Sequence, residues 1–270
     1  MLYVNAKMGR CGLGNKLFVW ARAEAFAYDT CASMLMPRFW QPPSFGAILR
    51  GERCLRTNWG DFDCTHAGYL GCCHSSVIRW RSSAVDEYNW SPSFKDGVVN
   101  FFGMGRDSFG DVLRHHEHIV MRLRLITKRS ILQDVETIAA VPFIGVHIRR
   151  GDFGVAGVMT DDDWYVLAIR RAIDMAGHLP VRIFSDGHAQ ELEFVRRAFP
   201  NEDVVIMPPA KPMHDIWTLS KSSVMVGSSR SSFSNWAVLL GQMPSIWAAK
   251  NAPESASLYL DAKCRKLVVL

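Results

Sequence analysis

The residues best suited to chemistry lie where an apolar run ends in the charged segment "VHIRRGDF", residues 146–153. Side chains alternate along a strand, so His147 and Arg149 are expected on one face and Arg150 on the other. An arginine at the carboxyl end of a strand can bind a phosphate through parallel charge-assisted hydrogen bonds, each worth about 1.5–3 kcal/mol. The other arginine can pair with Asp152 and hold the turn. The alternative is that both arginines only form ion pairs with nearby carboxylates.

A second candidate anion site is the run of small hydroxyl residues in "VGSSRSSFSNWAVLLG", residues 226–241. The pattern predicts a strand that turns directly into a helix, so backbone N–H groups and hydroxyls converge at the helix start. A nucleotide diphosphate is a suitable ligand for such a point. The alternative is ordinary capping of the helix by Ser231 or Ser232.

Two further turns carry weaker signals. The segment "VRIFSDG" ends a predicted strand at Ser185 and Asp186, and Asp186 could accept hydrogen bonds from a base or a ribose; ordinary turn formation is the alternative. The segment "GRCGLGN", which contains Gly12, Gly14 and Asn15, would allow a ligand to approach the backbone closely. It lacks the GxGxxG spacing and the lysine and hydroxyl of a P-loop, so neither nucleotide-binding motif is met.

These segments are positioned by short apolar runs that alternate with helical stretches. Beyond Pro142 the runs "FIGVHI", "VRIFS", "VVIMP", "VMVGS" and "SIWAA" are typical of buried parallel strands. Helices are predicted between them, one of which has Thr160 as its N-cap. Open α/β sheets bind ligands beyond the carboxyl ends of their strands, where three of the polar segments fall. We therefore predict a doubly wound α/β half over residues 141–270.

The N-terminal half, residues 1–140, begins with a predicted strand over residues 2–6, a glycine turn and a long helix. Residues 37–110 are rich in Pro, Gly, Ser and Trp without a clear period, which predicts loops and short elements. Residues 112–140 have the spacing of one or two helices. Their "HHEH" segment is expected on a solvated face rather than around a metal ion.

The composition is that of an ordinary globular protein. Hydrophobic residues make up 49% and charged residues 21% of the 270 residues, which excludes a disordered or fibrous class. The net charge of +5 comes with scattered arginines rather than a basic tail, which argues against nucleic-acid binding. No apolar stretch approaches the ~20 residues of a membrane span, and the N-terminus lacks the apolar core of a signal peptide. We expect a cytoplasmic protein, at most peripheral at the inner face of the membrane.

The chain has seven cysteines without a regular spacing, which indicates reduced thiols. One cluster combines thiols with imidazoles, the ligands that zinc prefers. It comprises Cys54, Cys64, His66, Cys72, Cys73 and His74. Because it contains no standard C-x2-C pair, ordinary buried thiols are expected and a structural zinc ion is the alternative.

The order of four segments, "GLGN", "HIRRGDF", "FSD" and "SSFSNWAVLLG", resembles that of the family 11 glycosyltransferases, which are mostly α-1,2-fucosyltransferases. The same layout is more distantly similar to α-1,6- and protein O-fucosyltransferases. The resemblance spans nearly the whole chain, and residues 37–110 are its weakest stretch.

This resemblance implies an α/β, GT-B-like fold of two Rossmann-like halves facing a cleft. Residues 1–140 would lie on the acceptor side, and residues 141–270 would bind the donor, GDP-β-L-fucose. The implied reaction is an inverting transfer of fucose to a hydroxyl of a glycan acceptor, galactose O2 in an α-1,2 enzyme. No metal ion or other cofactor is expected.

The resemblance also implies roles for individual residues. Arg149 would bind the β-phosphate beside His147, and Asp186 would read guanine. Asp152 is the best candidate for a general base, although pairing with Arg150 is the stronger expectation for it. The other donor-side residues would be Arg150, Ser185, Ser231, Ser232 and Phe233, with Trp236 shaping the helix. Gly12, Gly14 and Asn15 would line the cleft on the acceptor side.

The sequence departs from the family pattern in four respects. Lys16 replaces a usual Gln, Gly187 stands where a second Asp often follows, and Asn235 stands where Trp is common. The N-terminal half is also compact. Two other interpretations stay open: a transferase of the same fold that uses another nucleotide sugar, and a catalytically silent protein that binds a sugar nucleotide or a glycan.

Overall fold

The computed structural model describes residues 1–43, 45–49, 57–104, 109–151, 160–228, 230–249, 259 and 267–270. Contacts divide the chain into two units, Met1–Pro42 with Arg56–Arg129 and Pro43–Leu55 with Ser130–Leu270. Each unit is built on a parallel sheet with helices, as the predicted α/β class requires. In the described part of the chain, no helix is both long enough and apolar enough to cross a membrane.

The sheet of the first unit has the strand order β2-β1-β4-β3. These strands are β1 (Leu2–Ala6), β2 (Ser33–Met34), β3 (Ala84–Asp86) and β4 (Gly97–Phe101). They pair in parallel, and the register places Asn5 opposite Asn100. The central pair, β1 and β4, therefore brings two amides to the same level of one sheet face.

Helices cover both faces of this sheet. They are α1 (Leu13–Thr30), α3 (Cys72–Arg81), α4 (Gly110–Arg114) and α5 (His116–Ile126); a short helix, α2 (Phe45–Leu49), is grouped with the second unit. On one face Phe26 of α1 packs against Phe101 of β4. On the other, Ile78 of α3 packs with Val98 of β4. Because residues 98 and 101 lie on opposite faces of β4, α1 and α3 enclose the sheet.

Within residues 37–110, where loops and short elements are expected, the structure has a ten-residue helix, α3, and a five-residue strand, β4, in the centre of the sheet. The "HHEH" segment, expected on a solvated face, is partly buried except for the exposed Glu117: His115 contacts Asp29 at 3.1 Å, and the ring of His118 packs on Tyr28. Burial of the nearby Glu24 with Arg122 draws this part of α5 onto α1.

The sheet of the second unit has the strand order β10-β9-β8-β5-β6-β7, and its pairings are parallel. Its strands are β5 (Ile144–Ile148), β6 (Val181–Ser185), β7 (Val204–Ile206), β8 (Val224–Val226), β9 (Ser245–Trp247) and β10 (Leu267–Val269). The first five correspond to the five predicted apolar runs, which are confirmed as parallel strands. The chain adds β6 and β7 on one side of β5, then β8 to β10 on the other, so the strand order reverses between β5 and β8.

Helices also cover both faces of the second sheet. They are α6 (Arg129–Ile138), α7 (Asp162–Ala176), α8 (Glu193–Ala198), α9 (Pro212–Leu219) and α10 (Ser232–Gly241). Ile144, Val146 and Ile148 of β5 enter a core with the buried face of α7. His147 lies on the opposite face and contacts α10. The N-cap of α7 is Asp161 and not the predicted Thr160, because the helix begins at Asp162.

Candidate functional site

The carboxyl ends of β5 and β8 bring two of the predicted polar segments together. β5 leads into Arg149, and β8 leads through Gly227 and Ser228 toward the start of α10. The strand order reverses between these two strands, and open α/β sheets bind ligands at such reversals. The three-dimensional arrangement therefore assigns the candidate site to one edge of the second sheet.

Ser228 connects the elements that form this edge. Its hydroxyl oxygen accepts a hydrogen bond from the backbone N–H of Arg149 at 3.3 Å and another from the hydroxyl of Tyr165 at 3.0 Å. Its backbone N–H donates to the hydroxyl oxygen of Ser234 at 3.1 Å. The turn after β8 is thus fixed to the end of β5, to α7 and to the first turn of α10.

His147 is buried in this network, with 4% of its surface exposed. Its Nδ1 atom lies 2.7 Å from the Ser234 hydroxyl oxygen, and its ring stacks on Phe233 with centroids 4.9 Å apart. Burial, reinforced by the charge of Arg149, lowers the pKa of His147 to about 3. The imidazole is therefore neutral near pH 7 and acts through hydrogen bonding and shape.

Arg149 lies at the sheet edge, where 18% of its side chain is exposed. Its Nη1 is 2.9 Å from Oδ2 of Asp186, and Oδ1 of Asp186 accepts a hydrogen bond from the backbone N–H of Arg150 at 2.8 Å. Gly151 allows this arrangement, since a Cβ there would lie 2.5 Å from Oδ2 of Asp186. One carboxylate thus orients the Arg149 guanidinium and the turn that follows β5.

Arg150 is directed into the protein, with only 5% of its side chain exposed. It pairs with Asp162, donates to the carbonyl oxygen of Thr160 at 3.3 Å, and lies over the rings of Tyr165 and Phe194. These contacts anchor the beginning of α7 to the end of β5. Asp152, the expected partner of Arg150 and candidate base, lies outside the described residues.

The predicted serines take different positions. Ser231 is buried and is the N-cap of α10, where its hydroxyl oxygen accepts the backbone N–H of Ser234 at 3.4 Å, so the capping alternative is confirmed for it. Ser232, the first residue of α10, is only partly buried. Ser185 holds its own turn by accepting the N–H of Gly187 at 3.0 Å. Of these side chains, Ser232 is the one best placed to meet a ligand.

Gly187 packs closely against Arg150. A Cβ at this position would lie 2.8 Å from Cγ of Arg150, so a larger residue would displace the buried side chain of Arg150.

The glycine-rich turn of the first unit begins α1. Gly12 is its extended N-cap, Gly14 is buried, and Asn15 is partly buried in the first turn. Lys16 is 1% exposed, and its Nζ donates to the carbonyl oxygen of Phe39 at 2.5 Å. Burial lowers the pKa of Lys16 to about 8. Local sequence does not predict this burial, because a lysine in the first turn of a helix is usually solvated.

The cysteine and histidine cluster does not assemble in the described residues, among which no group of three or more His, Cys, Asp or Glu side chains could hold a metal ion. Cys72 and Cys73 are exposed, so the expectation of buried thiols is wrong for them. Cys64 is partly buried, and burial raises its pKa to about 12. Cys54 lies outside the described residues.

Sequence reasoning missed three residues of the site: Tyr165, Ser228 and Ser234. The two serines lie inside the segment that we singled out, but nothing in their spacing shows which hydroxyl points to His147. Tyr165 occupies the buried face of α7, where an apolar pattern predicts a core position and not a hydroxyl contact with Ser228.

No protein-family model matches the chain, and no curated protein matches it either. The fold is similar to that of the fucosyltransferase NodZ from Bradyrhizobium, with a TM-score of 0.59 and 17% identity over 90% of this chain and 92% of that one. It is similar to NodZ α-1,6-fucosyltransferase soaked with GDP-fucose, with a TM-score of 0.60, 18% identity, and the same two coverages of 90% and 92%.

A third similar structure is POFUT1 in complex with GDP-fucose, with a TM-score of 0.57 and 14% identity over 90% of this chain and 97% of that chain. These TM-scores show a shared fold, and at such low identities the likeness shows the fold alone. The GT-B-like class predicted from the sequence is thereby confirmed, whereas membership of family 11 stays a prediction.

Proposed function

We propose that the chain is an inverting fucosyltransferase that transfers L-fucose from GDP-β-L-fucose to a hydroxyl of a glycan. The observation that carries the proposal is the position of Arg149, at the carboxyl end of β5, beside Ser228 and the reversal in strand order. Similar folds hold the same donor, since NodZ was soaked with GDP-fucose and POFUT1 was solved in complex with it.

In the proposed reaction the acceptor hydroxyl oxygen attacks the anomeric carbon, the bond to the β-phosphate breaks, and the hydroxyl proton passes to a general base, for which Asp152 is the candidate from the sequence. Negative charge develops on the departing GDP. Arg149 stabilises this charge, together with the N–H groups and the Ser232 hydroxyl at the start of α10. A preorganised donor of this kind typically contributes 10²–10³ in rate, about 3–4 kcal/mol.

Two residues position Arg149 in this proposal. Asp186 holds its guanidinium by the 2.9 Å ion pair, and Ser228 accepts its backbone N–H. His147 stays neutral and supports Ser234 and Phe233 at the start of α10. The guanine-reading role that the resemblance implies for Asp186 is the alternative, because both of its carboxylate oxygens already contact arginine atoms.

The finer features of the proposal come from the sequence resemblance. Galactose O2 is the proposed acceptor position, the transfer is proposed to be metal-independent, and Gly12, Gly14 and Asn15 are proposed to face the acceptor. We also propose a cytoplasmic location, at most peripheral at the inner face of the membrane. No nucleic acid takes part.

Release of GDP from GDP-fucose tests the function. It is measured with galactose-terminated acceptors, with acceptors that lack galactose, and without acceptor, each in the presence and absence of EDTA. GDP-mannose and UDP-galactose replace the donor in parallel reactions. Product linkage is read by NMR.

We expect acceptor-dependent release from GDP-fucose that persists in EDTA. Faster release from another nucleotide sugar would assign a different donor to the same fold. Binding of GDP-fucose without turnover on any acceptor would contradict the transferase and favour a silent binding protein.

A further inference from the structure

The first unit contains a cavity of about 360 Å³ that the proposed donor site does not use. It lies against the sheet face formed by Asn5 and Asn100, beneath α3 and beside the loop that follows β1. Its volume is at the lower end of the range of small-molecule sites, which suits one sugar residue better than a whole nucleotide.

The cavity is cationic. Lys7, Arg38 and Arg79 all line it, and none of its described lining residues is acidic. Arg38 donates to the hydroxyl of Ser76 at 2.8 Å, and its side chain is exposed. Burial and the charge of Arg38 lower the pKa of Arg79, so these two guanidinium groups repel each other. An anion in the cavity would relieve this repulsion.

The hydrogen bonds that hold Arg79 use two of its three guanidinium nitrogen atoms. Its Nε donates to Oδ1 of Asn5 at 2.9 Å, and its Nη2 donates to the carbonyl oxygen of Met36 at 2.6 Å. Asn5 is in turn fixed by donating to Oδ1 of Asn100 at 2.8 Å. In the described part of the chain, Nη1 of Arg79 is buried and has no hydrogen-bond partner.

A buried guanidinium N–H without a partner is unusual, because the missing hydrogen bond costs about 1–3 kcal/mol. Arg79, Arg38 and Lys7 give the cavity three basic side chains, and no acidic side chain stands among its described lining residues. Carboxylates match the planar donors of arginine in geometry as well as charge. The cavity is therefore suited to an acidic group carried on a small polar molecule.

We propose that this cavity binds the carboxylate of an acidic sugar in the glycan acceptor, with Arg79 and Arg38 as its ligands. The assignment of the sugar to an acceptor rests on the proposed fucosyltransferase function; the binding of an acidic sugar does not. Sulfate and phosphate groups share the relevant chemistry with a carboxylate, so the test includes them as separate ligands.

Calorimetric titration with methyl β-D-glucuronide tests the site, with methyl β-D-glucoside, inorganic sulfate and inorganic phosphate as comparison ligands. Arg79→Gln removes the central donor, but it also removes the contacts with Asn5 and Met36. Arg38→Gln is the second variant, because Arg38 is exposed and its loss should leave the fold intact. Arg81→Gln is the matched control, since Arg81 is an exposed arginine of the same helix that lies over Trp80 and does not line the cavity.

We expect the glucuronide to bind at least about tenfold more tightly than the glucoside, as one charge-assisted hydrogen bond predicts. Arg38→Gln should weaken glucuronide binding about tenfold, and Arg81→Gln should change it less than about twofold. Equal affinities for glucuronide and glucoside, an unaffected Arg38→Gln protein, or sulfate or phosphate binding as tight as glucuronide would each overturn the proposal.

The donor is titrated in the same preparations so that the two proposals are separated. Arg149→Ala should lose affinity for GDP and keep its affinity for glucuronide. Glucuronide binding without any GDP binding would leave the acidic-sugar site standing and contradict the fucosyltransferase. GDP binding without glucuronide binding would contradict the acidic-sugar site and leave the fucosyltransferase proposal standing.

Discussion

The Nδ1 atom of His147 lies 2.7 Å from the hydroxyl oxygen of Ser234, and this contact joins the end of β5 to the first turn of α10. The same hydroxyl oxygen accepts the backbone N–H of Ser228 at 3.1 Å. One buried serine thus connects β5, which leads into Arg149, with the turn and helix proposed to meet the donor phosphates. The Ser234 hydroxyl therefore has a structural role, whereas the Ser232 hydroxyl is exposed enough to bind a ligand.

Substitutions of Ser234 and Ser232 distinguish a role in stability from a role in ligand binding. Ser234→Ala leaves the N–H of Ser228 without its buried acceptor, so the free energy of unfolding should fall by about 1–3 kcal/mol. Ser232→Ala should change stability by no more than about 0.5 kcal/mol and weaken GDP binding by up to about tenfold. Urea unfolding and GDP titration measure the two effects. Equal losses of stability in both variants would contradict the different roles of Ser234 and Ser232.

The buried His147 makes stability depend on pH. Its pKa is lowered to about 3 in the folded protein and is about 6.5 when unfolded, so the unfolded chain binds more protons between these values. The stability is therefore fully present above pH 6.5 and is lost progressively as the pH falls toward 3, because the unfolded imidazole gains a proton that the folded one does not. This group should contribute a slope of up to about 1.4 kcal/mol per pH unit.

The slope is measured as the difference in unfolding free energy between the wild type and His147→Asn from pH 7 to pH 5. Subtraction removes most of the contribution of other titrating groups, which both proteins share. Parallel curves for the two proteins would show that the buried imidazole does not titrate as the structure requires.

Lys16 makes the stability of the protein depend on pH in the alkaline range as well. Its pKa is lowered to about 8 when folded, against about 10.4 when unfolded, so stability from this group should rise as the pH increases from 8 to 10.4. Lys16→Gln should abolish the rise, because glutamine carries no titrating charge. It should not destabilise the protein at pH 7. A loss of more than about 2 kcal/mol there would show that the ammonium itself is required.

Asp186 is predicted to position Arg149 instead of reading the base. Asp186→Asn removes a negative charge near the proposed diphosphate, so GDP affinity should stay the same or increase. Release of the Arg149 guanidinium from its ion pair should reduce kcat about tenfold without raising KM. Steady-state kinetics with GDP-fucose and titrations with GDP and UDP provide the readout. Weaker binding of GDP with unchanged binding of UDP would instead assign Asp186 to guanine.

Much of the second unit could be predicted from the sequence because its signals are local. The apolar runs that became β5 to β9 are continuous stretches bounded by turns, and their parallel pairing follows from the helices between them. The polar segments also fall at the strand ends, so the location of the site follows from the general behaviour of open α/β sheets.

The parts that could not be predicted depend on contacts between distant residues. His147 and Ser234 are 87 positions apart, and no period in the sequence indicates that their side chains meet. β4 is only five residues long, and the sequence does not show that it pairs with β1 in the centre of its sheet. The burial of Lys16 depends on the carbonyl group of Phe39, which is likewise invisible in local patterning.

A diphosphate site at Arg149 is tested by the affinity of GDP for Arg149→Ala compared with Arg171→Ala, measured by calorimetry. Arg171 is an exposed arginine of α7 in the same unit, so its variant controls for the loss of one positive charge. We expect a loss of about 10- to 100-fold for Arg149→Ala, as one charge-assisted contact requires, and no more than about a twofold change for the control. Wild-type affinity in Arg149→Ala would contradict a diphosphate site at the end of β5.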